Sequence, residues 1–280
     1  MSGTIVTHEP LIRLGISVGV LLAMMLWEVA APRRPQHYRR AQRWPHNLLL
    51  VLLDSAVVRL LMPLGAVGAA LVAGEQGEQG WGLFNLLRLP FWLEIVLAVL
   101  VLDLVIYVQH RLFHAVPWLW RLHRVHHADL EFDVTTGVRF HPLEILLSMG
   151  IKLVAVVALG APALAVLIFE VLLNATALFN HGNVRLPGWL DRRLRFLVVT
   201  PEMHRVHHSI IRRETDSNFG FNLPWWDRLF GTYCAQPSAG HLGMTIGIDA
   251  FREARELRLD RLLLQPFRRA PSPGKQRGDA

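Results

Sequence analysis

At 280 residues the chain has room for one or two domains, and its single cysteine, Cys234, excludes an internal disulfide framework and any cysteine-rich zinc or iron–sulfur site. The net charge of +7 is carried mostly by arginine, a balance that suits nucleic acid or an anionic membrane surface. With 52% apolar residues and a positive mean hydropathy, the membrane is the reading that fits, and no nucleic-acid partner is expected.

In chain order, five apolar runs follow. Leu14 to Val29 carries only Glu28 as a charge and is just long enough to cross a bilayer, which takes about 20 residues. Leu48 to Ala73 is interrupted by Asp54 and Arg59, and Phe91 to Val108 by Glu94 and Asp103. Leu143 to Leu159 and Ala163 to Phe179 are joined by Gly160-Ala161-Pro162, a joint tight enough for a helical hairpin. The predicted fold is therefore all-α, an integral-membrane helical bundle. Val29-Ala30-Ala31 resembles a signal-peptide cleavage site, but the positive charge follows the apolar run instead of preceding it, so an uncleaved anchor is expected.

Orientation follows the basic loops. PRRPQHYRRAQRWPH, between the first two runs, carries Arg33, Arg34, Arg39, Arg40 and Arg43, whereas GEQGEQGWGLFNLLRLP has Glu75, Glu78 and only Arg88. The first loop is predicted to be cytoplasmic and the second external. Counting spans from there brings His110, His181 and the basic segment after Pro201 to one cytosolic face, a histidine-rich cap. Three stretches are expected: residues 1–90 with N-terminal membrane helices and the basic loop, 91–235 with the histidines, and 236–280 as a basic tail. The last residues, RRAPSPGKQRGDA, have the composition of a disordered segment.

Of fourteen histidines, nine form a pattern: His110 and His114; His123, His126 and His127; a single His181; and His204, His207 and His208. The word HRVHH thus occurs twice. Positions i and i+4 share one helix face, as do i and i+3. His110 with His114, and His123 with His126 or His127, can each grip one ion. Adjacent histidines point about 100° apart on a helix, so one box can serve two ions. Clustered imidazoles would repel if charged, and neutral ones would leave many nitrogens unpaired. Metal removes both problems, and nine donors exceed the four of a tetrahedral site, so two ions are expected, each HRVHH supplying half of the cage. His8, His37, His46 and His241 need no special role.

Spacing does not select the ion. No carboxylate base of the HExxH kind sits between the histidines, which disfavours hydrolysis. A redox metal pair beside a bilayer suits attack by activated oxygen on a lipid C–H bond. DLVIYVQHRLFH, LHRVHHAD, FNHGN and PEMHRVHHS…NFGFNLPWWDRLFGT resemble, in order and spacing, the boxes of the fatty acid hydroxylase / sterol desaturase superfamily, over about Leu93 to Thr232. The resemblance implies a cytosolic non-haem di-iron centre that uses O2 and two electrons to hydroxylate or desaturate a lipid, sterol or carotenoid-like substrate. It assigns iron ligation to His110, His114, His123, His126, His127, His181, His204, His207 and His208.

His141, at a helix start in RFHPLE, is either a neighbour of the ligands or substrate-facing, and is not counted among them. Asp103, two helical turns before His110, either orients a ligand imidazole or makes a helix-packing hydrogen bond. Asp216, Asn218 and Asp227 either support the ligands or cap a loop; Asn218 is carried forward with Asp103 as a candidate supporting residue. Tyr107 is read as an interfacial tyrosine, and Trp225 and Trp226 as interfacial tryptophans. No dinucleotide fingerprint, CxxC or haem motif is present, so electrons are expected from a separate reductase or ferredoxin-like partner. The rival readings are a zinc-dependent membrane hydrolase and a metal transporter or binding protein.

Overall fold

The computed structural model describes residues 8–74, 82–87 and 89–270. The acidic loop with Glu75 and Glu78, together with Arg88, and the tail from 271 onward lie outside the described residues. The long helices are α1 (Glu9–Ala30), α2 (Arg40–Leu61), α3 (Gly65–Gly74), α4 (Phe91–Ala115), α5 (Pro117–His127), α6 (Pro142–Leu159) and α7 (Ala163–Asn180). Shorter ones follow: α8 (Gly188–Leu194), α9 (Pro201–His207), α10 (Arg212–Thr215), α11 (Trp225–Leu229), α12 (Gly240–Gly243) and α13 (Leu259–Leu264). Among the described residues no strand forms, and only two isolated bridges, Pro32 to Val184 and Ser209 to Ile246, join extended backbone.

Among the described residues, five helical segments are long and apolar enough to cross a membrane: α1, α2 with α3, α4, α6 and α7. They coincide with the five apolar runs. The second is not one straight helix. Pro63 cannot donate a backbone hydrogen bond and disfavours the helical conformation of the residue before it. Met62 leaves the helix accordingly, and Gly65 at φ 58° restarts it as α3. The hairpin joint forms where expected. Gly160 adopts the left-handed conformation at φ 64°, and the Ala161 amide reaches back to the Val156 carbonyl, closing α6 before Pro162 starts the return.

Small residues let the spans approach closely. Ala98, Leu102 and Ile106 of α4 pack with Val156 of α6 and with Ala165, Val166 and Phe169 of α7. α1 lies along α7. Glu170 of α7 accepts from Lys152 of α6 at 2.8 Å and forms an ion pair with Arg13 of α1 at 2.9 Å. Glu28, at the end of α1, is fully buried and accepts the Val134 and Asn183 amides at 2.7 and 2.6 Å. It fastens the first span to two loops of the cap.

The arginine-rich loop differs from its sequence reading. Arg43 is not a loop charge facing water; it lies in α2 and is completely buried. Its guanidinium grips Asp129 at 2.7 and 2.8 Å and Asp133 at 2.5 Å, just beyond the first HRVHH. Arg139 adds a second cation 3.4 Å from Asp129. Burial by itself would raise the Asp129 carboxyl, but the two arginines hold it well below the usual carboxylate range. Arg33 pairs with Glu202 at 2.6 Å, and Arg34 donates to the Met244 carbonyl at 2.7 Å. The loop is therefore a strap across the cap as well as a topological signal.

Removing one member of a buried ion network leaves the rest uncompensated, at a cost of about 3–5 kcal/mol. Arg43→Met is expected to lower the thermal unfolding temperature in detergent sharply, whereas Arg39→Met, at an exposed position, should leave it unchanged. Equal melting of the two variants would contradict the strap.

Candidate metal centre

Prolines start both box helices. Pro117 opens α5 and Pro201 opens α9, each at a first-turn position where its missing N–H costs nothing. Pro117 also forces Val116 into extended backbone at φ −96° and ψ 119°, which ends α4 and turns α5 back on it. His110 and His114 on α4 thereby face His123 and His127 on α5. Thr200 caps α9 by accepting the Met203 amide. His181 follows the last residue of α7.

The histidines converge into two adjoining groups. His110, His114, His123, His127 and His207 form one; His126, His181, His204 and His208 form the other. Within each group one nitrogen per ring lies within 4.8 Å of every other. Each box serves both groups. Its i,i+4 pair, His123 with His127 or His204 with His208, stays together, and its middle histidine, His126 or His207, crosses to the other group. A repeated pentapeptide thus gives an exchange of one ligand each way, and the simpler picture of one half-cage per box does not hold. The groups touch: the His127 and His208 rings stack at 4.6 Å.

For every ring but His208, the inward contacts run through Nε2 atoms. His110 and His123 stand 3.1 Å apart, His207 and His110 3.0 Å, His114 and His127 3.1 Å, His181 and His126 3.2 Å, and His204 and His181 3.1 Å. Several outward nitrogens have acceptors. His110, His207 and His181 donate from Nδ1 to the carbonyls of Phe219, Ser217 and Ala177 at 2.8, 2.7 and 2.7 Å. A carbonyl only accepts, so these rings carry their proton on Nδ1 and turn a lone pair inward. The lone pairs of His110 and His207 therefore face each other at 3.0 Å, a repulsive contact that a cation between them converts into coordination. In the second group, among the described residues, His126 and His204 leave Nδ1 unpaired, and neither nitrogen of buried His208 has a partner.

Two nitrogens about 2.1 Å from one ion stand about 3.0 Å apart at a right angle and about 3.4 Å apart at the tetrahedral angle. The observed 3.0 to 3.2 Å lies between these values, so the spacing is compatible with ligation of a transition ion. The five donors of the first nest exceed a tetrahedral set, and the four of the second equal one.

Burial, reinforced by neighbouring rings, pushes His126, His127, His204, His207 and His208 far below the ordinary histidine range. Desolvation takes His123 down to about 3 and His181 to about 4. All are neutral at physiological pH and ready to ligate.

Carboxylates orient two rings. Glu144, in the first turn of α6 and buried, accepts from His123 Nδ1 at 2.6 Å. Asp216 stands 3.2 Å from His114 Nδ1. Glu144 was not singled out in the sequence; its only signal is its position in the first turn of the helix beginning RFHPLE. His141 joins neither group. Its Nδ1 accepts the Leu143 amide and caps α6.

Asp103 touches no imidazole. Its carboxylate accepts from the Trp226 indole at 2.8 Å and the Leu223 amide at 3.3 Å, so it packs a loop against α4. Asn218 likewise acts through backbone. At φ 51° it donates to the Met203 and Cys234 carbonyls at 2.9 and 2.8 Å, holding the loop whose Ser217 and Phe219 carbonyls meet His207 and His110. Asp227, within the WDRLFGT segment, accepts the Phe219 and Gly220 amides and the Thr232 hydroxyl, and Thr232 in turn meets Tyr107. Burial raises the Asp227 carboxyl to about 6 despite these donors.

A bundle of span-length helices, closed at one end by nine buried imidazoles in two donor nests, defines an integral-membrane protein with a candidate dinuclear metal centre. Residues 95–232 match the family model described as Fatty acid hydroxylase. The chain belongs to the fatty acid hydroxylase / sterol desaturase superfamily, whose members are membrane-bound, metal-dependent oxygenases. It is similar to the ornithine lipid hydroxylase OlsE of Rhizobium tropici, at 33% identity over 56% of this chain and 47% of the relative. Human alkylglycerol monooxygenase is 27% identical over 61% of this chain and 38% of its own length. Human cholesterol 25-hydroxylase is 29% identical, and the match covers 50% of each chain. The chain thus spans about half or less of these relatives. No solved structure matches it.

Alanine at His126 should empty the second nest while membrane insertion persists; full metal content in that variant would remove the residue from the donor set. Glu144→Gln keeps the shape but weakens the acceptor for His123. A loss of about 10- to 100-fold in metal affinity is expected, measured by chelator competition; unaltered affinity would reduce Glu144 to a packing role.

Proposed function

We propose that the protein is a non-haem di-iron monooxygenase that uses O2 and electrons to hydroxylate an apolar lipid, sterol or related substrate drawn from the bilayer. The observation that carries this reading is the pair of adjoining histidine nests built from α4, α5, α9 and the residue that follows α7. His110, His114, His123, His127 and His207 would hold one iron, and His126, His181, His204 and His208 the other. Iron bound there supplies O2 activation and oxidation of a C–H bond.

The chain's own residues keep the donors neutral, convergent and dry. Phe219, Ser217 and Ala177 hold protons on the outward nitrogens through their carbonyls, and Glu144 does the same work at His123. Phe221 lies beneath both nests, its ring 5.0 Å from His110 and 5.9 Å from His204, and packs into the apolar core between α4 and α7. A chain entering from the bilayer interior would meet this ring before the metals. The three relatives named above are a lipid hydroxylase, a monooxygenase and a sterol hydroxylase, which favours hydroxylation over desaturation. The arginine-rich loop, docked on the same cap as the nests, favours a cytoplasmic metal site. Electron delivery falls to a separate reductase or ferredoxin-like partner.

Protein purified without air should contain two irons per chain, and the lipids of an expressing host should gain species heavier by one oxygen atom. Zinc at full occupancy with activity but no O2 uptake would replace this reading with a membrane hydrolase.

A further inference from the structure

One surface remains outside the metal centre and the helical core. Trp189, Phe196, Leu197, Trp225, Leu229 and Phe230 are all exposed, Leu197 at 65% and Leu229 at 69%. They form one patch: the Trp225 indole donates to the Phe196 carbonyl at 2.6 Å, and Arg228 donates to the Arg195 carbonyl at 3.1 Å. Arg228 lies over the Phe196 ring at 5.2 Å and Arg193 over Trp189 at 5.7 Å. The free charges of the patch are basic, Arg192, Arg193 and Arg228, because both acids are buried, Asp191 against Arg195 and Thr200 and Asp227 against the Phe219 and Gly220 amides.

The depth of this patch is set by α4. Trp226 bonds Asp103, and Phe230 stacks on Tyr107 at 5.5 Å. Both partners lie within the apolar run Phe91 to Val108. At 1.5 Å rise per residue they sit about 5 to 10 Å further into the span than His110. α11 is thus held alongside a membrane helix, at a level where side chains pointing away from the protein meet lipid. Exposed Trp, Phe and Leu rimmed by arginine is the composition of a segment lying in the bilayer interface.

We infer that residues 188–197 and 225–230 form a lip that inserts into the leaflet around α4, with its aromatic and leucine side chains among the acyl chains and Arg192, Arg193 and Arg228 on anionic phospholipid headgroups. Every free charge on the lip matches the negative surface of such a leaflet. The lip anchors the cap against the bilayer surface, beside the loop of residues 219–223 that carries Phe221. It rests on α4 being a span and is independent of which metal or reaction the nests serve.

The test uses the full-length protein in nanodiscs containing phosphatidylglycerol. In a Cys234→Ser background, Leu197→Cys and Leu229→Cys are each labelled with an environment-sensitive fluorophore, with Glu253→Cys on the cap as reference. A bilayer-borne brominated lipid should quench both lip labels several-fold more than the reference, and aqueous iodide should quench them several-fold less. Iodide quenching equal to that at position 253 would mean that the patch faces water. Shielding from both quenchers would mean that protein, not lipid, covers it. Either result overturns the lip, and two labelled positions guard against one that disturbs folding.

Discussion

Neutral imidazoles packed with their lone pairs turned inward are unstable on their own. The contact between the Nε2 atoms of His110 and His207, both protonated on the far nitrogen, is repulsive between the two rings by themselves and attractive around a cation. Much of the surrounding architecture serves to hold that arrangement. Carbonyls of Phe219, Ser217 and Ala177 select the tautomer, Glu144 and Asp216 orient two further rings, and burial keeps the histidines unprotonated. These supports come from a loop, a helix end and the first turn of another helix, so the centre exists only when the cap is assembled.

Assembly of the cap rests on buried charge. Arg43 reaches from the second span to Asp129 and Asp133, immediately after the first box, and Glu28 reaches from the first span to the Val134 and Asn183 amides. Such pairs give little net stability over apolar packing, because desolvation offsets their attraction. They are directional, however, and a misregistered cap would leave them unpaired. The two N-terminal spans therefore act on the metal centre through its loops without contributing a ligand.

The loop from Asp216 to Gly220 carries much of the positioning. Asn218 and Asp227 hold its backbone from either side, and its carbonyls then face outward nitrogens of the first nest. Asn218 bonds backbone only, through the Met203 and Cys234 carbonyls. Asp103 belongs instead to helix packing, and its neighbour Trp226 ties the surface lip to the span.

Helical periodicity is local, and what it governs was legible in the chain. The five apolar runs, the Gly160 hairpin, the i,i+4 pairing of His110 with His114 and the split of adjacent histidines between two sites all follow from 3.6 residues per turn. The family resemblance, carried by the same boxes, falls on nearly the residues that match its family model. Contacts between distant segments left no such trace. Which rings of the two boxes share a nest, the bond of Glu144 to His123, and the burial of Arg43 in what reads as a cytoplasmic loop depend on how α2, α5, α6 and α9 pack. No periodicity encodes those meetings. Each is decided by which groups the closed helices bring within bonding distance.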